Sequence, residues 1–337
     1  MSWRGCTAMR SNAGMAGASA RYHDARARFT TKVGGDIGLS YVAVVLVTLL
    51  WGFGPLFVRG VDASPLTIAF LRNWIAVPLV ATIAWLVKAP LTWRWLKAAI
   101  PGGAMFTIAQ TLGFASFQET SLANAVLIGA ISPVIIVIVA VPMFGERLVP
   151  AQIVLMAVTM AAVAVFVLAA SNTSGATLGG DLFAVGSLLG QTGYLLSVKR
   201  ARMAAVPAAA YISGVFIVAG VLIAPLVFIW GTSLTAFTSE DWTYIVSLAL
   251  VVGCGGHGMM TWAQKHVNVG VASVIILGTT VVTAAGGWIF FGQALTSVQI
   301  AAGVVVLATI AGVLAIQVRQ ETNEAVLPEL IEPPIAE

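Results

Sequence analysis

The sequence predicts an all-α integral membrane protein, with ten transmembrane helices arranged as two inverted five-helix repeats around a central cavity. Three observations carry this expectation. The chain of 337 residues is 59% hydrophobic and only 9% charged, where a soluble domain carries about 25% charged residues. Ten apolar segments lie at 38–58, 65–87, 98–117, 122–144, 149–170, 179–198, 208–230, 241–263, 270–291 and 297–317. Each comes near the ~20 residues that cross a bilayer core of roughly 30 Å. Finally, the stretch Leu122 to Leu148, LANAVLIGAISPVIIVIVAVPMFGERL, has a second copy from Val269 to Leu295, VGVASVIILGTTVVTAAGGWIFFGQAL, offset by 147 residues. That offset sets Phe144 on Phe291, Gly145 on Gly292, Leu148 on Leu295 and Gln152 on Gln299. No segment shows the short dyad pattern of a membrane β-barrel, so the spans read as helices.

Taken in order, residues 1–37 form a polar arm with Arg4, Arg10, Arg21, Arg26, Arg28 and Lys32. It lacks the apolar core of a signal peptide and reads as a disordered cytoplasmic arm, with an organelle transit peptide as the alternative. Residues 38–170 hold the first repeat and 171–318 the second. The intervening connectors are short and rich in Gly, Pro, Ser and Thr. Trp93 and Trp95 fall in a cytoplasmic loop at the interface. Residues 319–337, with five glutamates and Pro333-Pro334, read as a disordered cytoplasmic tail.

Charge sets the orientation. With the N-terminus in the cytoplasm, 15 of the 17 Lys and Arg residues fall on the inner side; Arg59 lies in an outer loop and Arg72 within a span. The positive-inside rule then gives N-in and C-in, hence an even number of spans. A repeat of five spans is odd, so the second half inserts the other way up. Two such halves enclose a cavity near the midplane that can open to either side in turn.

Trp51-Gly52-Phe53-Gly54 with Arg59 in span one resembles the opening of EamA-type transporters of the drug/metabolite transporter superfamily. Pro65 and Arg72 in span two, the Pro133 span ending in Gly145-Glu146-Arg147-Leu148, and Gly180-Asp181-Leu182 opening the second half add to that resemblance. It covers residues 38 to 318. It implies ten helices, a five-plus-five inverted repeat and export of small metabolites or amphipathic compounds across the cytoplasmic (inner) membrane. The second half departs from the pattern: Thr280 stands opposite Pro133 and Gln293 opposite Glu146.

Polar groups at membrane depth are costly and mark candidate sites. Arg72 is the one charge well inside a span. It reads as a cavity cation for an anionic group of the substrate, as half of a structural ion pair with Glu119 or Asp181, or as a side chain snorkelling to the outer interface. Gln110 and Thr111 in span three, Gln191 and Tyr194 in span six and His257 in span eight are further cavity candidates; the alternative is interhelical hydrogen bonding. The 147 offset sets Gln110 on His257. His257 also leaves proton coupling open, because its reference pKa is near neutrality. Trp51 reads as an aromatic cavity wall or plain packing. Asn124 reads as a group at the cavity mouth or a helix cap. Pro133 kinks span four as a hinge or a fixed packing feature. Glu146 with Arg147 reads as an inner gate or topological ion pair.

Cys254 and His257 form a C-x-x-H, but no second pair closes a metal site, so no metal or cofactor is expected. The glycines around them suit close helix packing or local unwinding. A net charge of +4 distributed by topology is no nucleic-acid signal. Isolated polar groups do not make an active site, and no P-loop is present. A secondary transporter of a small molecule is therefore the leading expectation. An intramembrane enzyme on a lipid-linked substrate, a channel, or a non-transporting sensor or scaffold are the rivals. Oligomeric state is not legible.

Overall fold

The computed structural model describes residues 37–170, 177–231, 237–292 and 294–331. The expectations for residues 1–36 and for Gln293 fall outside them. The described regular structure is helical, without strands. One compact unit comprises Ser40–Ala315; the described residues 37–39 and 316–331 belong to a second.

Among the described residues, nine helical stretches are long and apolar enough to cross a membrane: Ile37–Arg59, Pro65–Leu86, Trp93–Glu119, Asn124–Phe144, Pro150–Ala169, Ala208–Trp230, Ser239–Ala263, Val269–Phe290 and Ser297–Glu321. The helix Leu178–Met203, at the expected sixth span, is 26 residues long. It is too polar to join that set, because Asp181, Gln191, Tyr194 and five glycines dilute its apolar character. Large apolar side chains such as Trp85, Ile138 and Phe228 are 71%, 68% and 87% exposed. In water such a surface would be a liability; against lipid it costs nothing. The chain is a multi-pass membrane protein.

Local signals place the helix ends. Ser64, Thr92, Ser121, Thr177, Thr238 and Asn268 each accept a backbone N–H with the side chain at a helix start. Span three starts at Trp93 rather than near residue 98, so Trp93 and Trp95 belong to its first turn and not to a loop. Thr92 caps that turn, and Lys97 lies over the Trp93 ring at 5.3 Å.

The repeat is visible in the backbone. Ser121 caps Leu122–Gly129, and Asn268, 147 residues on, caps Val269–Ile276. Both helices then stop, at Ala130–Ile131 and at Leu277–Gly278, and restart as Ser132–Phe144 and Thr279–Phe291. Both restarted helices end on a left-handed glycine, Gly145 at φ 68° and Gly292 at φ 65°. Beyond them the Val149 and Thr296 amides donate to the Gln152 and Gln299 side chains, each at 2.9 Å.

Pro133 therefore does not kink a continuous helix. It occupies the first turn of a new one, where its missing N–H costs nothing. The second copy breaks at the same register with Thr280 in place of proline.

Span eight also departs from a plain helix. Ser239–Ser247 is α-helical, Leu248–His257 is a π-helix, and Gly258–Ala263 returns to α. The glycine run tolerates this wider winding, and π-turns concentrate at functional sites. The last helix, Ser297–Ile331, continues past residue 319, where disorder was expected. A Gln317 to Glu321 side-chain bond at 2.8 Å, one helical turn apart, supports that extension.

A candidate solute pocket

A cavity of about 290 Å³ lies within the Ser40–Ala315 unit. This is near the lower end of the roughly 300–1,000 Å³ typical of small-molecule sites. Both repeats wall it. Span one contributes Trp51, span two Arg72, span three Phe106 to Phe117 including Gln110, and span four Ala125 to Ser132. Span six contributes Ala184 to Leu195 including Gln191, span eight Leu248, Val252 and His257, and span nine Ser273 to Thr283.

Arg72 is 2% exposed. Its Nη1 donates to Gln110 Oε1 at 2.8 Å, and its guanidinium carbon sits 5.3 Å from the Phe106 ring centre and 5.9 Å from Phe114. The expected acidic partner is not there. Asp181 instead accepts from Thr120 Oγ1 at 2.8 Å and from Asn124 Nδ2 at 3.2 Å. Glu119 is exposed, and its backbone carbonyl accepts from Thr177. Both acids sit at the helix ends, too far along the spans to meet a residue two turns in.

His257 is enclosed by rings. Its centroid lies 4.6 Å from Trp51, 4.8 Å from Phe106, 5.5 Å from Tyr194 and 6.4 Å from Phe216. Gly256 makes room for this stack, since a Cβ there would collide with the Trp51 indole. Cys254 Sγ approaches Ala76 O at 3.8 Å and takes no part in the stack. No group of three or more His, Cys, Asp or Glu suited to a metal occurs among the described residues.

Of the eight cavity candidates, Trp51, Arg72, Gln110, Gln191 and His257 lie on the pocket wall. Gln110 and His257, paired by the repeat offset, are both on it. Tyr194 stands behind the wall, against Phe106 and His257. Thr111 is off the wall. Asn124 neither caps a helix nor lines the pocket: Ser121 caps its helix, while its side chain anchors Asp181.

Glu146 is the largest correction. It makes no pair with its neighbour Arg147, which is exposed. Its carboxylate lies 3.4 Å from Lys199 Nζ, both side chains being nearly buried at 8% and 10% exposed. It also accepts the backbone N–H groups of Val269 at 2.8 Å and Gly270 at 3.2 Å, at the start of Val269–Ile276. Lys199 in turn donates to the Val267 carbonyl. This cluster joins the end of span four to the end of span six and the start of span nine, where a helix N-terminus favours an anion.

Sequence reasoning missed Lys199, counted only as an inner-side charge, and the hydroxyl edge of Ser132, Thr279, Thr280 and Thr283. The signal for the latter was present, because Thr280 is where the second copy departs from Pro133.

The family model described as the EamA-like transporter family matches the chain twice, over residues 38–168 and 178–315. No curated protein sequence matches it. A crystal structure of a protein 18% identical in sequence has a TM-score of 0.69, covering 83% of this chain and 98% of that one. The shared fold extends over almost the whole of that protein.

Proposed function

The chain belongs to the EamA-like transporter family, and from that premise we propose that it exports a small metabolite or amphipathic compound across the inner membrane by alternating access. The observation that carries this is the pocket walled by both repeats and holding buried polar groups from each. Leu178–Met203 serves as the tenth span, tolerated in lipid because its polar side turns toward span three and the pocket. Five spans per repeat make the halves inverted, and the matched breaks at Ala130–Ile131 and Leu277–Gly278 supply equivalent bending points. The Lys and Arg bias makes the Glu146–Lys199 end cytoplasmic, with N-in and C-in termini.

In that frame the pocket lies toward the outer ends of spans three, four and six, from Phe117, Ala125 and Ala184 inward. The Glu146 cluster closes the inner end. The described conformation is then closed inside, and release of Glu146 from Lys199 and from span nine opens the inner path.

The test is saturable counterflow into proteoliposomes of a compound whose level outside cells depends on this gene. Specific, saturable exchange is expected. Binding without exchange would leave a sensor or scaffold. Conversion of the compound would leave an enzyme. Conductance without saturation would leave a channel.

A further inference from the structure

We propose that the pocket selects a singly charged anion with an apolar or aromatic body, its charged oxygens held by Arg72, Gln110 and Trp51. This rests on the transporter reading and names the cargo class for the same site. Arg72 Nε and Nη2, Gln110 Nε2 and Trp51 Nε1 are buried atoms without a protein hydrogen-bond partner. All of them are obligate donors: guanidinium, carboxamide N–H and indole N–H have nothing to accept with. Gln110 presents its amide nitrogen freely because its oxygen is already committed to Arg72 at 2.8 Å. A ligand completing this set must bring acceptors, and a planar carboxylate suits the guanidinium fork.

Charge balance gives the valence. No carboxylate lines the cavity among the described residues. Asp181 is held by Thr120 and Asn124, Asp241 by Thr238, Glu146 by Lys199, and Glu240 accepts from Tyr244. Arg72 therefore carries one uncompensated positive charge in a low-dielectric wall. One negative charge neutralises it, two would overshoot, and a cation would double the burden. Much of the remaining wall is apolar, with Phe114, Phe117, Leu188, Leu248, Val252 and Ile276, and the hydroxyl edge of Ser132, Thr279, Thr280 and Thr283 lies beside it. The apolar side takes a hydrocarbon body.

The experiment compares isosteric probes at neutral pH: 3-phenylpropanoate, its primary amide and 3-phenylpropylamine, together with a panel of aliphatic monocarboxylates. Thermal stabilisation of the purified full chain and competition for flux in proteoliposomes are both read. The carboxylates are expected to bind at least about tenfold more tightly than amide or amine. Arg72→Gln should erase that preference, and Arg72→Lys should keep its sign while weakening it. Equal binding of amide or amine, retention of the preference in Arg72→Gln, or no stabilisation by any carboxylate would overturn the proposal. If Arg72→Gln does not fold, the wild-type series decides alone. Carboxylate binding without saturable flux would remove the transporter reading and leave the anion site. Saturable flux of another compound that no carboxylate competes would do the reverse.

Discussion

Removing the Glu146 carboxylate should unlock the inner end of the molecule. Glu146→Ala deletes the partner of Lys199, 3.4 Å away, and the acceptor of the Val269 and Gly270 amides. The pair is nearly buried, so its loss strands a cation; breaking one partner of a buried pair costs about 3–5 kcal/mol. The two amide bonds end on the same carboxylate and are not added to that figure. Lys199 keeps its bond to the Val267 carbonyl, which argues for the lower part of the range. With the carboxylate hydrated in an open state, about 3–4 kcal/mol of bias toward the closed state is lost. This raises the open population roughly 10²–10³-fold. Glu146→Gln keeps one acceptor oxygen and should fall roughly tenfold short of that.

The assay places a reporter on the inner half of the pocket. Ser273 lines it and is 3% exposed, and its hydroxyl bonds only to the Gly270 carbonyl, so a cysteine is tolerated. With Cys6 and Cys254 replaced, Ser273→Cys is labelled by a membrane-impermeant maleimide in inside-out vesicles. Labelling is expected to accelerate by at least about a hundredfold in the Glu146→Ala background. Arg147→Gln should leave the rate unchanged, because Arg147 is exposed. A Glu146→Ala rate within about twofold of the parent, or an equal acceleration by Arg147→Gln, would refute the latch.

Three further outcomes follow from the packing. Gly256→Ala puts a methyl group into the Trp51 indole and displaces it from His257, so KM for flux should rise while protein level in the membrane holds. Gly190→Ala sets its Cβ 2.6 Å from the Ala109 nitrogen and 2.9 Å from the Met105 carbonyl oxygen. Backbone cannot yield cheaply there, so spans three and six must separate; a cost of about 1–3 kcal/mol should appear as a lower unfolding temperature in detergent. His257→Gln should leave the shape of the flux–pH profile unchanged. The imidazole Nδ1 has no protein partner, its ring is walled by aromatics, and among the described residues no carboxylate lines the pocket to relay a proton. A displaced profile would make His257 the proton carrier.

What the sequence disclosed was whatever depends on near neighbours. Apolar length sets the spans, and the 147-residue offset lands on Ser121 and Asn268 as caps and on Gly145 and Gly292 as left-handed ends. Those features are local, so each copy carries its own instructions. The break in span nine was not legible, because the kink read from the sequence rested on Pro133 in span four and Thr280 stands in its place. Pro133 follows the first break by two residues, and the second break forms at Gly278 without any proline. Partner choice was not legible at all. Glu146 ignores the arginine beside it in sequence because a residue's immediate neighbour points elsewhere at a helix end, while Lys199 arrives from another span. Arg72 meets Gln110 rather than an acid for a similar reason: depth along each helix, not sequence proximity, decides which groups face one another. The π-helix of Leu248–His257 was foreshadowed only as unwinding, since a glycine run permits several windings and the Trp51–His257 stack selects one.

The mismatch between backbone and charge has a mechanical consequence. Under the repeat offset Glu146 corresponds to Gln293 and Lys199 to Gly52. The breaks, caps and terminal glycines are duplicated, yet the ion pair can form at one end only. Two inverted halves with equal hinges would have two conformations of similar energy. A buried pair at one end tilts that balance by several kcal/mol. The empty carrier should therefore rest with the Glu146 end shut and its pocket exposed to the opposite side. Opening inward must then be driven by whatever offsets that bias, and neutralisation of Arg72 by an arriving anion is the one charge event the pocket is built to offer.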